Sequence, residues 1–131
     1  MKSFMIVGLS VLALIACNKD KDRTSTTTTT GAYVGRVQNG TAIERIVAAR
    51  CEREASCKNV GHDKRFETQQ TCVAKVRGDM REDLSTKDCP GGVDTKELDE
   101  CLTAIRKEDC NNPIDMIERL TQCRTSDMCL K

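Results

Sequence analysis

The chain has 131 residues, of which 38% are hydrophobic and 2% aromatic, with 21 Lys and Arg against 20 Asp and Glu. That balance excludes the strong field that would draw nucleic acid or an anionic lipid surface, and the scarcity of rings excludes a core built on aromatic packing. Nine cysteines offer a different means of holding the chain together.

The first stretch fixes what those cysteines can mean. Lys2 supplies a positive start, Phe4 to Leu14 is an apolar run of export-signal length, and Leu14-Ile15-Ala16-Cys17 closes it. The tetrapeptide has the form of a bacterial lipobox, in which the leader is cut before the cysteine and the sulfur carries a diacylglyceryl group. Residues 1–16 are therefore expected to be a lipoprotein signal peptide, and Cys17 the lipid attachment point. The apolar run is too short to span roughly 30 Å of hydrocarbon as a membrane helix.

Residues 17–40 follow as a tether: Asn18 to Arg23 alternates charges, Thr26 to Thr30 is an unbroken threonine run, and no periodicity of two or 3.6 appears. As a flexible coil its mean span is roughly 25 Å, enough to hold a folded part clear of lipid headgroups. Residues 41–131 are expected to form one cysteine-rich helical domain. From Thr41 onward sixteen basic residues face eighteen acidic ones, a net charge of about −2, and Phe66 is the one aromatic.

A first helix is expected from Thr41, where Thr41 and Glu44 have capping-box spacing. Ile43, Ile46, Val47, Cys51 and Cys57 then share one arc and point inward. Lys58 to Arg65, with Gly61 and His62, reads as a polar loop. A second helix runs from about Thr68 to Leu84 with Cys72, Val73, Val76, Met80 and Leu84 on one side. Cys89-Pro90-Gly91-Gly92 breaks the chain, and a third helix is announced by Asp94 as N-cap, Glu97 completing a box, and a Val93/Leu98 staple. Its stripe is Leu98, Cys101, Leu102 and Ile105. Asn112 then caps a fourth helix that has Pro113 at its first position, and Ile114, Ile117 and Leu120 continue the apolar pattern to about Cys123.

Four amphipathic segments with short connections predict an all-α, disulfide-stabilised bundle of about four helices. The eight cysteines after Cys17 are Cys51, Cys57, Cys72, Cys89, Cys101, Cys110, Cys123 and Cys129, an even set expected to make four disulfides in an oxidising compartment. Eight cysteines allow 105 connectivities. Hairpin geometry favours Cys57 with Cys72 and Cys101 with Cys123.

Other chemistries find little support. No Cys-x-x-Cys occurs, which argues against zinc, iron-sulfur, thioredoxin-like and haem-attachment roles. His62 is the sole imidazole and sits in a polar loop, so a nucleophile-base pair through it is not expected. Glu82-Asp83, Asp99-Glu100 and Glu108-Asp109 are chain neighbours and read as solvated charge rather than acid-base pairs. Gly31 to Gly40 lacks the strand-turn-helix context of a phosphate loop. Arg77-Gly78-Asp79 matches an adhesion tripeptide but falls inside the second helix. The sequence thus predicts no catalytic residue, no cofactor and no metal.

Val76-Arg77-Gly78-Asp79-Met80-Arg81-Glu82-Asp83-Leu84, Asp88-Cys89-Pro90-Gly91-Gly92-Val93-Asp94, Glu97-Leu98-Asp99-Glu100-Cys101-Leu102 and Asp109-Cys110-Asn111-Asn112-Pro113 together resemble a family of small cysteine-rich lipoproteins from myxobacteria. The resemblance covers roughly Ala42 to Cys129. It implies a lipidated Cys17 and an eight-cysteine domain, and the natural-product-biosynthesis label of some members implies a link to secondary metabolism; it supplies no catalytic residue. The expected function is a non-enzymatic binding or structural module of the cell envelope. It would touch the membrane through its N-terminal lipid and face a protein or small-molecule partner, with no nucleic acid. Asn18, where aspartate would favour inner-membrane retention, points to the outer membrane.

Overall fold

In the computed structural model the described residues are 35–131, so the expected signal peptide, Cys17 and most of the tether lie outside them. The element order is β1 (Arg36–Val37), α1 (Asn39–Ser56), α2 (Gln69–Asp83), β2 (Val93–Asp94), α3 (Thr95–Lys107), α4 (Pro113–Gln122) and the single turn α5 (Thr125–Met128). The fold is the all-α bundle that the periodicities predict, with one two-stranded ribbon added.

Helix α1 is the central element, packing on α2 and on α3, while α3 also packs on α4. Ala42, Ile43, Ile46, Val47, Ala49 and Cys51 turn one face of α1 into the core, where they meet Val76, Leu84, Leu98, Leu102 and Ile105. The helix starts two residues before the expected Thr41. Gln38 is its N-cap and makes no side-chain cap bond. Glu44, instead of closing a box with Thr41, receives two bonds from Arg77 on α2, at 2.8 Å from Nε and 2.6 Å from Nη2. A bidentate guanidinium is the stronger partner for a carboxylate, so the cross-helix pair takes the side chain that the local signal assigned to the cap.

The other caps follow local chemistry more closely. Thr68 and Thr71 form a reciprocal capping box on α2. Asp94 Oδ1 accepts from the amides of Lys96 and Glu97, though the Glu97 carboxylate turns to Lys96 rather than back to the cap. Asn112 Oδ1 accepts from the Ile114 amide, with Pro113 opening α4.

The ribbon ties three distant parts of the chain. Arg36 and Val37 pair antiparallel with Asp94 and Val93, and Val93 also bridges to Cys129 near the carboxyl end. The turn feeding β2 must be glycine. A Cβ on Gly91 would lie 2.6 Å from the Leu130 carbonyl oxygen, and Gly92 has φ +89° with the Val37 carbonyl oxygen 2.9 Å from where its Cβ would be. Arg36 and Val37 fall within the stretch that composition reads as tether.

Candidate functional site

All eight cysteines of the described residues are paired. The bridges are Cys51–Cys72, Cys57–Cys110, Cys89–Cys129 and Cys101–Cys123. Cys101–Cys123 is the pair that the second hairpin predicts. The expected Cys57–Cys72 bridge is corrected: Cys51, one and a half turns inside α1, meets Cys72 near the start of α2, whereas Cys57 caps the end of α1 and reaches Cys110 in the α3–α4 connection. Periodicity put Cys51 and Cys57 on one arc, but the helix ends at Ser56, so Cys57 leaves that arc.

Beside the Cys57–Cys110 bridge lies a chain of alternating charge that the sequence did not disclose. Glu54 is 5% exposed and Glu108 7% exposed. Glu54 Oε1 lies 3.2 Å from Arg65 Nη1 and 3.4 Å from Arg53 Nη1, and its Oε2 accepts from Asn59 Nδ2 at 2.7 Å. Arg53 Nη2 continues to Glu108 Oε1 at 3.0 Å, and Glu108 Oε2 lies 2.8 Å from Arg119 Nε on α4, close enough for an ion pair but off the line of a hydrogen bond. Each of these two carboxylates has two cationic neighbours, which offsets the cost of burying its charge. Glu108, expected on a solvated face, is thus a buried strut.

That strut determines how α4 sits. Arg119 and Cys123 hold it to the body of the domain, so Ile114 and Ile117 turn away from it at 70% and 61% exposed, with Leu120 at 60% and Met116 at 44% on the two margins of the docked side. The expectation that Ile114, Ile117 and Leu120 extend the core is corrected accordingly. A patch of four large aliphatic side chains on one short helix is unusual for a soluble surface.

Adjoining the patch is a hollow of about 220 Å³, walled by Ile46, Met80, Leu84, Ile105, Leu120 and Met128, with Arg50, Arg119 and Asp83 supplying charge. Arg119 is already committed to Glu108. Arg50, half-buried, makes no hydrogen bond or ion pair with any described residue. Burial pushes its pKa down from the ordinary guanidinium value, the nearby Arg119 and Arg65 push it further, and Glu54 and Asp79 oppose the shift. A wider groove of about 780 Å³ between α3 and α4 is open, and along its α3 side Lys96 is paired with Glu100 at 2.7 Å and Asp99 with Arg45 at 2.9 Å.

The remaining sequence candidates stay apart. His62 is almost fully exposed, its Nδ1 2.8 Å from Asp63 in the α1–α2 loop. In the adhesion-like tripeptide Arg77 is taken by Glu44 and Asp79 by Lys75 within α2. Among the described residues no group of three His, Cys, Asp or Glu is arranged to hold a metal, and no helix is long and apolar enough to cross a membrane.

Neither the curated proteins nor the solved structures contain a match to this chain. A family model does match: it runs over residues 51–131, from the first cysteine of the domain to the last residue, and so includes all four bridges. By that match the chain belongs to DUF6184, described as a family of unknown function.

Proposed function

We propose that this is a lipid-anchored, non-enzymatic module of the bacterial cell envelope, in which a disulfide-held helical domain is carried on a tether and acts by contact with a partner. Its parts are a signal peptide over residues 1–16, a lipidated Cys17 opening a tether that ends ahead of β1 at Arg36, and the helical domain beyond. The observation that carries the reading is the combination of Leu14-Ile15-Ala16-Cys17 with four bridges in so small a fold. Disulfides of this density belong to oxidising compartments, and the lipobox supplies a route to one. The resemblance to small myxobacterial lipoproteins supports the same anchor, and Asn18 favours the outer membrane.

Acylation is tested by substituting the attachment point. Native chain should partition into membranes and carry the mass of added acyl groups on Cys17, because more than one chain is needed for durable anchoring. Cys17→Ala should be released to the soluble fraction. A Cys17→Ala chain that is processed normally and stays on the membrane would overturn the anchor.

The hollow beside α4 favours a second reading, an accessory lipoprotein of natural-product biosynthesis or export that holds an apolar intermediate. Its test is extraction of metabolites copurifying with the native protein; a secondary metabolite recovered in stoichiometric amount supports it, and its absence from protein purified out of producing cells counts against it.

A further inference from the structure

The hollow, the uncommitted arginine and the exposed face of α4 are one continuous feature. Leu120 belongs to both the wall of the hollow and the exposed apolar face of α4, and so joins the two. Five elements meet around it, but Ile46, Ile105 and Met128 are closed off at 1%, 0% and 2% exposure, so the apolar surface a ligand can reach is that of Met80 on α2 and Leu120 on α4. Among the described residues Arg50 at its edge has no hydrogen-bonded or ion-paired carboxylate, Glu54 and Asp79 acting on it only through space, while the other arginine of the lining, Arg119, is paired with Glu108. Asp83 is the one anionic group of the lining, and it is not among the charges that act on Arg50.

We infer that this hollow is a binding site for a small amphiphilic anion, a medium-chain carboxylate whose head group pairs with Arg50 and whose alkyl chain lies against Met80 and Leu120. A guanidinium matches a carboxylate with two parallel hydrogen bonds, and gains more from it in a partly desolvated setting than in water. The volume, about 220 Å³, lies below the roughly 300 to 1,000 Å³ of sites for drug-sized ligands, which restricts the occupant to a short chain whose end runs out over α4. The same occupant accounts for the outward apolar face, since the tail and that face cover each other. The assignment deepens the reading of the domain as a contact module and is independent of the lipid anchor.

Calorimetric titration of full-length protein carrying Cys17→Ser in every sample tests the site with no acyl group present, so its result does not bear on anchoring. Octanoate should bind with one-to-one stoichiometry, and the neutral analogue octanol should bind about tenfold more weakly, the size of a lost charge-assisted hydrogen bond. Arg50→Gln should weaken octanoate by a similar factor and leave octanol unchanged, and Leu120→Glu at the rim should weaken octanoate also. No octanoate binding to folded protein, equal binding of octanol, or an unaltered Arg50→Gln titration would overturn the assignment. Binding to phosphatidylglycerol vesicles without any binding of octanoate would overturn it as well, and would give the α4 face to a bilayer instead.

Discussion

At the scale of single residues the domain depends on a few side chains whose roles conflict with their local pattern. Glu44 is the clearest: it stands at capping distance from Thr41, yet pairs across to Arg77. Its hydrogen bond from Arg77 holds its carboxyl pKa below the ordinary glutamate value. A depressed pKa means the pair contributes stability at pH above the unfolded carboxylate value and loses it as pH falls through the folded one. Urea titrations should therefore find Glu44→Gln less stable than the native chain at pH 7, with the gap closing below about pH 4; a gap that persists at pH 3 would show that the pair acts in some other way. The glycines divide similarly. Gly78, with open space around its Cβ position in α2, should be replaceable by alanine with a gain of about 1 kcal/mol. Gly91→Ala should cost about 1 to 3 kcal/mol because the Leu130 backbone blocks the added carbon. Paired thermal melts of the two variants measure the contrast, and melting temperatures shifting in the same direction would contradict it.

At the scale of elements, what the sequence disclosed is a matter of locality. The Asp94 and Asn112–Pro113 caps, the inward stripes of α2 and α3, and the Cys101–Cys123 bridge all rest on neighbours within a helix or a short hairpin, and each was legible. The partner of Cys57 was not, because a period assigns a side chain to a face but does not say which element stands opposite. The orientation of α4 shows the same limit more sharply. Its stripe of Ile114, Ile117 and Leu120 is as regular as those of the core helices, but Arg119 to Glu108 and Cys123 to Cys101 dock the opposite side. Nor was Arg50 marked by any motif; its position at the hollow's edge arises only from packing of α1 against α2 and α3. If the Glu108 strut fixes α4, then Glu108→Ala should destabilise the fold by about 3 kcal/mol, as expected when one partner of a buried ion pair is removed. Chemical denaturation checks this value, and hydrogen exchange should show the loss concentrated in α4; a change below about 0.5 kcal/mol would mean that the bridge to Cys101 positions the helix alone.

At the scale of the whole molecule, covalent bonds reinforce a small core: Cys51–Cys72 crosses from α1 to α2, Cys101–Cys123 from α3 to the end of α4, and the other two bridges tie the connections and the carboxyl end to the bundle. Among the described residues the core holds one aromatic ring, Phe66, and consists mostly of aliphatic side chains and the cysteines themselves. The four bridges close loops of 21, 53, 40 and 22 residues, each restricting the unfolded chain by about 3 to 4 kcal/mol. The loops interlock, so these values do not simply add, but even one of them is a large share of the roughly 5 to 15 kcal/mol by which ordinary domains are stable. Unfolding followed by circular dichroism, with and without reductant, is therefore the most direct measurement. Cooperative melting of the oxidised chain and its loss after full reduction is the predicted result; an unchanged melt in the reduced chain would contradict the claim that sulfur cross-links hold this fold.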